Sequence, residues 1–353
     1  MTSSLEQAGP KPYQRCLVMC GGGFRFGYYL GIYAAMEQHG RKPDLLLATC
    51  GAAIAATVIA GLDNDSQRRD WLDSEAMFAF WQSLRWNPRQ SMVSVSKSLL
   101  KRWATPPQYK RLPDLHQDFL FSVPGELPLP SLPAHPASDV AVIAGKILYP
   151  RQSAGKWHSA PWFEETILTN SPHLLRLHGL RSPVSAPFLR HSRVAPHLNV
   201  IRTDDMADAA RASVSDMFYF PCHQSPHGDF LGGVTDLFPV EIAKALAPEI
   251  WMERKAEYDC FKSLPAVRRV LGFDGNQRLR KVMQSDAAAW IDTSDMETAL
   301  VEHQIRMRAD WKQNRIHLSL PADYASFRTM NRLQWEYGYQ RGLQAIAALK
   351  APV

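Results

Sequence analysis

Apolar and polar positions in the first sixty residues alternate between two periods. Arg15-Cys16-Leu17-Val18-Met19-Cys20 is a short apolar run that enters a glycine cluster, as a buried strand feeding a turn does. Residues 27–39 predict a helix with Leu30, Ala34 and Ala35 among its apolar positions, and Gly40 stands where a left-handed cap is expected. Residues 43–48 predict a second strand and 51–62 a second helix. A βαβα beginning favours a parallel sheet covered by helices.

Further along, residues 65–86 have helical spacing. From 87 to about 136 the chain is rich in Pro and Ser, which predicts an insertion or lid-like excursion from the sheet. Strands are expected at 138–144 and 197–201, a short helix at 206–214, a strand and turn over 229–240, and a helix starting at Val240. After Pro248 the chain is more charged. Helices are expected at 252–269 and 296–315, a strand at 315–320, and an amphipathic helix over 325–349. No internal repeat is evident. The organisation expected is a flexible tail (1–14), an α/β domain (15–247) and a mainly helical C-terminal region (248–353).

With 46% hydrophobic and 21% charged residues in 353, the composition is that of a globular protein with ample core. Five cysteines without paired or zinc-type spacing predict reduced thiols in a cytoplasmic protein. The first fourteen residues lack the apolar run of a signal peptide. The longest apolar stretch, 50–62, is too short to cross a bilayer. These features predict a protein that is soluble, or peripheral at the inner face of a membrane.

The formal charge of +6 is local in origin. Residues 76–113 contain no acid but carry Arg85, Arg89, Lys97, Lys101, Arg102, Lys110 and Arg111, interleaved with aromatics such as Trp81, Trp86 and Trp103. Cations among interfacial aromatics suit an anionic lipid surface or a phosphate-bearing acyl thioester. A solvated helical face whose tryptophans belong to the core is the plainer alternative. No motif accompanies the charge that would point to nucleic acid.

Candidate chemistry lies in two segments. Cys20-Gly21-Gly22-Gly23-Phe24-Arg25 places three glycines before a helix, where free N–H groups can face developing negative charge. A dinucleotide site would need a third glycine where Phe26 stands. Ala48-Thr49-Cys50-Gly51-Ala52 predicts a sharp strand-to-helix turn with a thiol at its apex, whose helix N-terminus would favour a thiolate. The pair has the form of an oxyanion hole and a nucleophile elbow. A buried structural cysteine is the plain alternative. No cofactor and no metal site is expected.

These segments, with Arg211-Ala212-Ser213-Val214-Ser215-Asp216-Met217-Phe218-Tyr219-Phe220-Pro221 and Leu231-Gly232-Gly233 downstream, make the chain resemble the patatin-like phospholipases. The resemblance runs from about residue 15 to 246. It implies a three-layer α/β core with a central mostly parallel sheet, here carrying a helical C-terminal extension, and a lipid substrate; the thiol in place of serine points further to an acyl thioester. The family nucleophile is serine and its partner an aspartate. Here Cys50 and Leu231 occupy those places, and alanine replaces both elbow glycines.

Two main readings stay open. In one, Cys50 forms a thioester acyl-enzyme, with Gly22, Gly23 and Gly51 supplying the oxyanion hole. His227 and Asp229 would then rebuild a triad, and Arg25, Arg85, Lys101 and Arg102 would bind substrate. In the other, the domain is a catalytically inactive lipid-binding scaffold. Ordinary lipid acyl hydrolysis is a third alternative. Oligomeric state is not readable from the sequence.

Overall fold

The computed structural model describes Leu5 and residues 9–350, the last without its side chain. A strand β1 (Arg15–Cys20), a helix α1 (Gly27–Gln38), a strand β2 (Leu45–Thr49) and a helix α2 (Gly51–Gly61) open the fold. They match the expected βαβα start.

The main sheet runs in the order Ala289–Asp292, Glu249–Arg254, β1, β2, Asp139–Ile147, Phe163–Thr169, Asn199–Arg202. Every neighbouring pair is parallel except Asp139–Ile147 with Phe163–Thr169. A hairpin of His223–Ser225 and Gly228–Leu231 joins the end of Asp139–Ile147, with Gly145 opposite Leu231.

Period-two alternation divides the core. Leu17, Met19, Leu46, Ala48, Val140 and Val142 face α1, α2 and the last helix, Tyr324–Lys350. Cys16, Val18, Cys20, Leu45, Leu47 and Ile143 face helices Val240–Leu246 and Gly275–Met283. The result is the three-layer core with its mostly parallel central sheet and C-terminal helix. Among the described residues no helix is long and apolar enough to cross a membrane.

Three expectations need correction. Part of the expected tail lies outside the described residues, but Tyr13 within it is anchored: its hydroxyl is 2.6 Å from both Asp139 and Ser171. The C-terminal region adds two strands to the central sheet, because Ile250-Trp251-Met252 is a buried apolar run paired with β1. The helix expected over 252–269 therefore begins only at Ser263, and a hairpin (Met307–Asp310 with Arg315–Leu318) replaces most of the one expected over 296–315. Phe163–Thr169 had no predicted counterpart. Its Glu164-Glu165 pair breaks the apolar signal, yet Glu165 is fully buried and accepts the Ser182 hydroxyl at 2.5 Å.

The last helix packs on α1 at small residues. A Cβ on Gly31 would stand 2.0 Å from the Trp335 carbonyl oxygen, and one on Gly338 1.8 Å from that of Tyr28. Backbone therefore meets backbone, and α1 is held by an element three hundred residues away.

Candidate active site

Gly21, Gly22 and Gly23 connect β1 to α1 with φ of +78°, +98° and +58°. Three successive residues in this region need glycine. The Gly21 N–H is tied to Thr49, to its carbonyl at 3.1 Å and its hydroxyl at 3.0 Å. The N–H groups of Gly22 and Gly23 have no acceptor among the described residues. Behind Gly22 lie the rings of Tyr28 and Tyr29, so close that a Cβ would meet them at 3.1–3.2 Å.

That support rests on one buried carboxylate. Glu253 is fully buried and accepts from the Cys20 N–H (2.9 Å), Tyr28 Oη (2.8 Å), Thr293 Oγ1 (2.9 Å) and Tyr29 Oη, with Lys255 Nζ at 3.0 Å. Arg25 braces the other side. Its Nε lies 3.4 Å from the Gly22 carbonyl, and its Nη1 donates to Gln304 at 2.7 Å with Glu297 at 3.8 Å. A structural clamp is thus the role its contacts support. Glu253, Gln304 and Glu297 were not singled out in the sequence, because they carry no motif and lie far along the chain.

Cys50 sits between β2 and α2 with φ +51° and ψ −131°. For a residue with a side chain this backbone is strained. The elbow is held by the Cys50 N–H, which donates to Ser213 Oγ at 2.7 Å, and Ser213 donates onward to the Ile143 carbonyl at 2.6 Å. A Cβ on Gly51 would fall 2.1 Å from the Gly23 carbonyl oxygen. The glycine loop and the elbow are therefore in direct backbone contact. Cys50 is half-buried, whereas Cys16, Cys20 and Cys222 are buried and Cys260 is exposed; all five are free thiols.

Burial pushes the Cys50 thiol up, and the nearby Asp216 carboxylate pushes it further. The Gly51 N–H and Lys255 act in the opposite sense but are outweighed. The thiolate expected from the helix N-terminus is thus disfavoured at rest.

Leu231, at the family's aspartate position, is completely buried among Met217, Phe218 and Val234. The proposed replacements are engaged elsewhere. His223 Nε2 and Ser225 Oγ both lie 2.6 Å from Asp208, and the Asp208 carboxylate also feels His227. Asp229 lies 3.7 Å from His116 Nε2. The hairpin thus directs polar groups to Asp208 and to the insertion, and among the described residues no hydrogen bond or ion pair joins His227 or Asp229 to Cys50. Asp216, which the sequence left without a role, is the carboxylate next to the thiol. An acid in an otherwise apolar and hydroxylic stretch was the only signal.

Of the other substrate-binding candidates, Arg102 is turned inward: it pairs with Asp118 at 3.2 Å and lies 3.3 Å above the Phe218 ring. Arg85 folds back on the end of the preceding helix, Glu75–Ser83, donating to the Gln82 carbonyl at 2.5 Å. Lys101 is exposed. Trp81 belongs to the core, as the plainer alternative had it, with Phe78 packed against that core, but Trp103 is exposed.

Among solved structures, one match is the crystal structure of VipD from Legionella pneumophila, at 13% identity and a TM-score of 0.34, covering 96% of this chain and 67% of that one. A search of curated proteins finds no match. A protein-family model described as Patatin-like phospholipase matches residues 17–244, more than half of the chain and including the glycine loop, the elbow and Gly232-Gly233. The chain belongs to the patatin-like phospholipase family.

Proposed function

We propose that this chain is an acyl-transfer enzyme in which Cys50 carries the acyl group as a thioester. The family-level activity is lipid acyl hydrolysis, with lipid as substrate. The observation that supports the finer reading is the contact of the glycine loop with the elbow: two free N–H groups, of Gly22 and Gly23, stand beside a strained, half-buried thiol. Oxyanion donors of this kind contribute about 10²–10³-fold to acyl transfer. A thiol also exchanges acyl groups readily with thioesters, which favours an acyl thioester or activated ester donor.

The inactive-scaffold reading has one observation in its favour. Leu231 is buried where the family carries its acid. Intact mass after incubation with a panel of acyl-coenzyme A thioesters and activated esters separates the two. The expected result is an acyl adduct on the unaltered protein that is absent from Cys50→Ala. Lipid binding with neither adduct nor turnover would establish the scaffold.

Contact with an anionic membrane is part of the proposal. Helix Met92–Ala104 exposes Val93 (56%), Leu100 (67%) and Trp103 (64%) at spacings of one helical face, with Lys97 and Lys101 alongside. The free thiols fit a reducing, cytoplasmic setting.

A further inference from the structure

Gly232 and Gly233 are wedged between the elbow and the turn that follows helix Met206–Val214. A Cβ on Gly233 would stand 2.6 Å from the Cys50 nitrogen. One on Gly232 would stand 3.0 Å from both the nitrogen and the Cα of Asp216. The Gly232 N–H donates to the Ser215 carbonyl at 2.9 Å. Ser213, three residues before Asp216, holds the Cys50 N–H at 2.7 Å. Backbone contacts thus set the Asp216 main chain beside the elbow, and its carboxylate acts electrostatically on the thiol.

The turn is well fixed. Tyr219 and Phe220 donate their N–H groups to the Asp216 carbonyl, both at 3.1 Å. Phe218 takes φ +68° beneath the Arg102 guanidinium. The Asp216 side chain is half-buried and has no ion-pair partner among the described residues, and the Met217 N–H acts to lower its carboxyl. The titratable groups that share its surroundings are Cys50, Tyr219 and Tyr258. Lys255 also acts on Cys50, and Arg25 and Glu297 act on Tyr219. Burial pushes the Asp216 carboxyl up to about 6.

We infer that Asp216 is the proton acceptor for Cys50, so that a carboxylate from the 213–221 turn takes over the work for which Leu231 has no chemistry. The inference rests on the acyl-enzyme reading. A neutral thiol beside an ionised carboxylate is the stable resting pair, since two adjacent anions oppose each other. The proton therefore leaves only as Sγ attacks. The Sγ–carbonyl carbon bond forms, the S–H bond breaks, and the proton passes to Asp216 while the oxyanion faces Gly22 and Gly23. Collapse breaks the C–O bond of an ester or the C–S bond of a thioester, and Asp216 returns the proton to the departing alkoxide or thiolate. In the second half, water, an alcohol or a thiol gives its proton to Asp216 as it attacks the enzyme thioester. That proton then returns to Cys50.

Two rates with opposite responses test this. Acylation of Cys50 by p-nitrophenyl butyrate and alkylation by iodoacetamide are followed by mass for the unaltered protein, Asp216→Asn and Asp216→Glu, from about pH 4 to about pH 9. Asp216→Asn should acylate about 10²–10⁴-fold more slowly. It should also lose the limb rising through about 6. Its alkylation should be faster, because a like charge has gone. Asp216→Glu should recover part of the acylation rate. Acylation that is unchanged in Asp216→Asn, or rises with alkylation, would overturn the assignment and leave Asp216 as a like charge only. No acylation of the unaltered protein, with Cys50 still alkylated, would defeat the acyl-enzyme reading and this role with it. Thermal unfolding checks each variant. If Asp216→Asn fails to fold, the presence or absence of the limb at about 6 in the unaltered protein decides.

Discussion

Cys50 holds a backbone conformation that costs on the order of 1–3 kcal/mol, and it is kept there by Ser213 and by the glycines at 51 and 233. Asp216 adds a second cost. Its carboxyl is raised from 3.8 to about 6, so between these values the folded protein binds a proton that the unfolded chain has lost. Stability attributable to this group is full below the unfolded value and falls as pH rises towards about 6. Asp216→Asn should therefore raise stability above pH 7, by at most about 3 kcal/mol and about 1 kcal/mol after allowing for partial exposure, and leave it nearly unchanged at about pH 3, as read from Tm. Thermal unfolding at the two pH values measures the difference, and an equal effect at both would refute the linkage. At this scale the sequence identified the apex thiol and the loop glycines, since both depend on local backbone needs. It pointed to His227 and Asp229 as partners of the thiol; the contacts the structure gives them are with Asp208 and His116, because proximity in the chain could not show which way the hairpin faces.

The site depends on two element contacts. Gly51 meets Gly23, and Gly338 meets Tyr28, each too closely for a Cβ. Gly51→Ala should force the glycine loop away from the elbow and lower the acylation rate about 10²-fold, as loss of an oxyanion donor does. The fold should survive, so acylation kinetics beside circular dichroism is the check. Gly338→Val should act differently. It drives the last helix off α1 and should destabilise by about 3 kcal/mol or more in chemical denaturation. The helices themselves were legible: Gly27–Gln38, Met206–Val214 and Tyr324–Lys350 fall within a residue or two of their expected bounds. The strand Glu249–Arg254 was not, because a short apolar run between charges fits either period until its neighbour is known.

At the scale of the molecule, the C-terminal region completes the sheet and props the glycine loop through Glu253, beyond the residues that the family model matches. The insertion shows the opposite face of the design. It turns Arg102 inward onto Asp118 but leaves Leu100 and Trp103 in solvent. Replacing both, Leu100→Asp with Trp103→Asp, should reduce co-sedimentation with anionic phosphatidylglycerol vesicles at least about tenfold, since each inserted side chain contributes about 1.5–3 kcal/mol at most. Acylation by a soluble ester should be unaffected. Equal vesicle binding by the variant and the unaltered protein would remove this helix from the membrane contact.

Periodicity, glycine placement and the two small-residue turns were enough to predict an α/β chain with a glycine loop and a thiol at a sharp strand-to-helix turn, because each is imposed by backbone sterics within a few residues. The direction of a buried side chain is set by packing between distant segments. Only the tertiary structure could therefore turn Asp229 towards His116, seat Glu253 beneath Cys20, and bring the Asp216 turn next to the elbow.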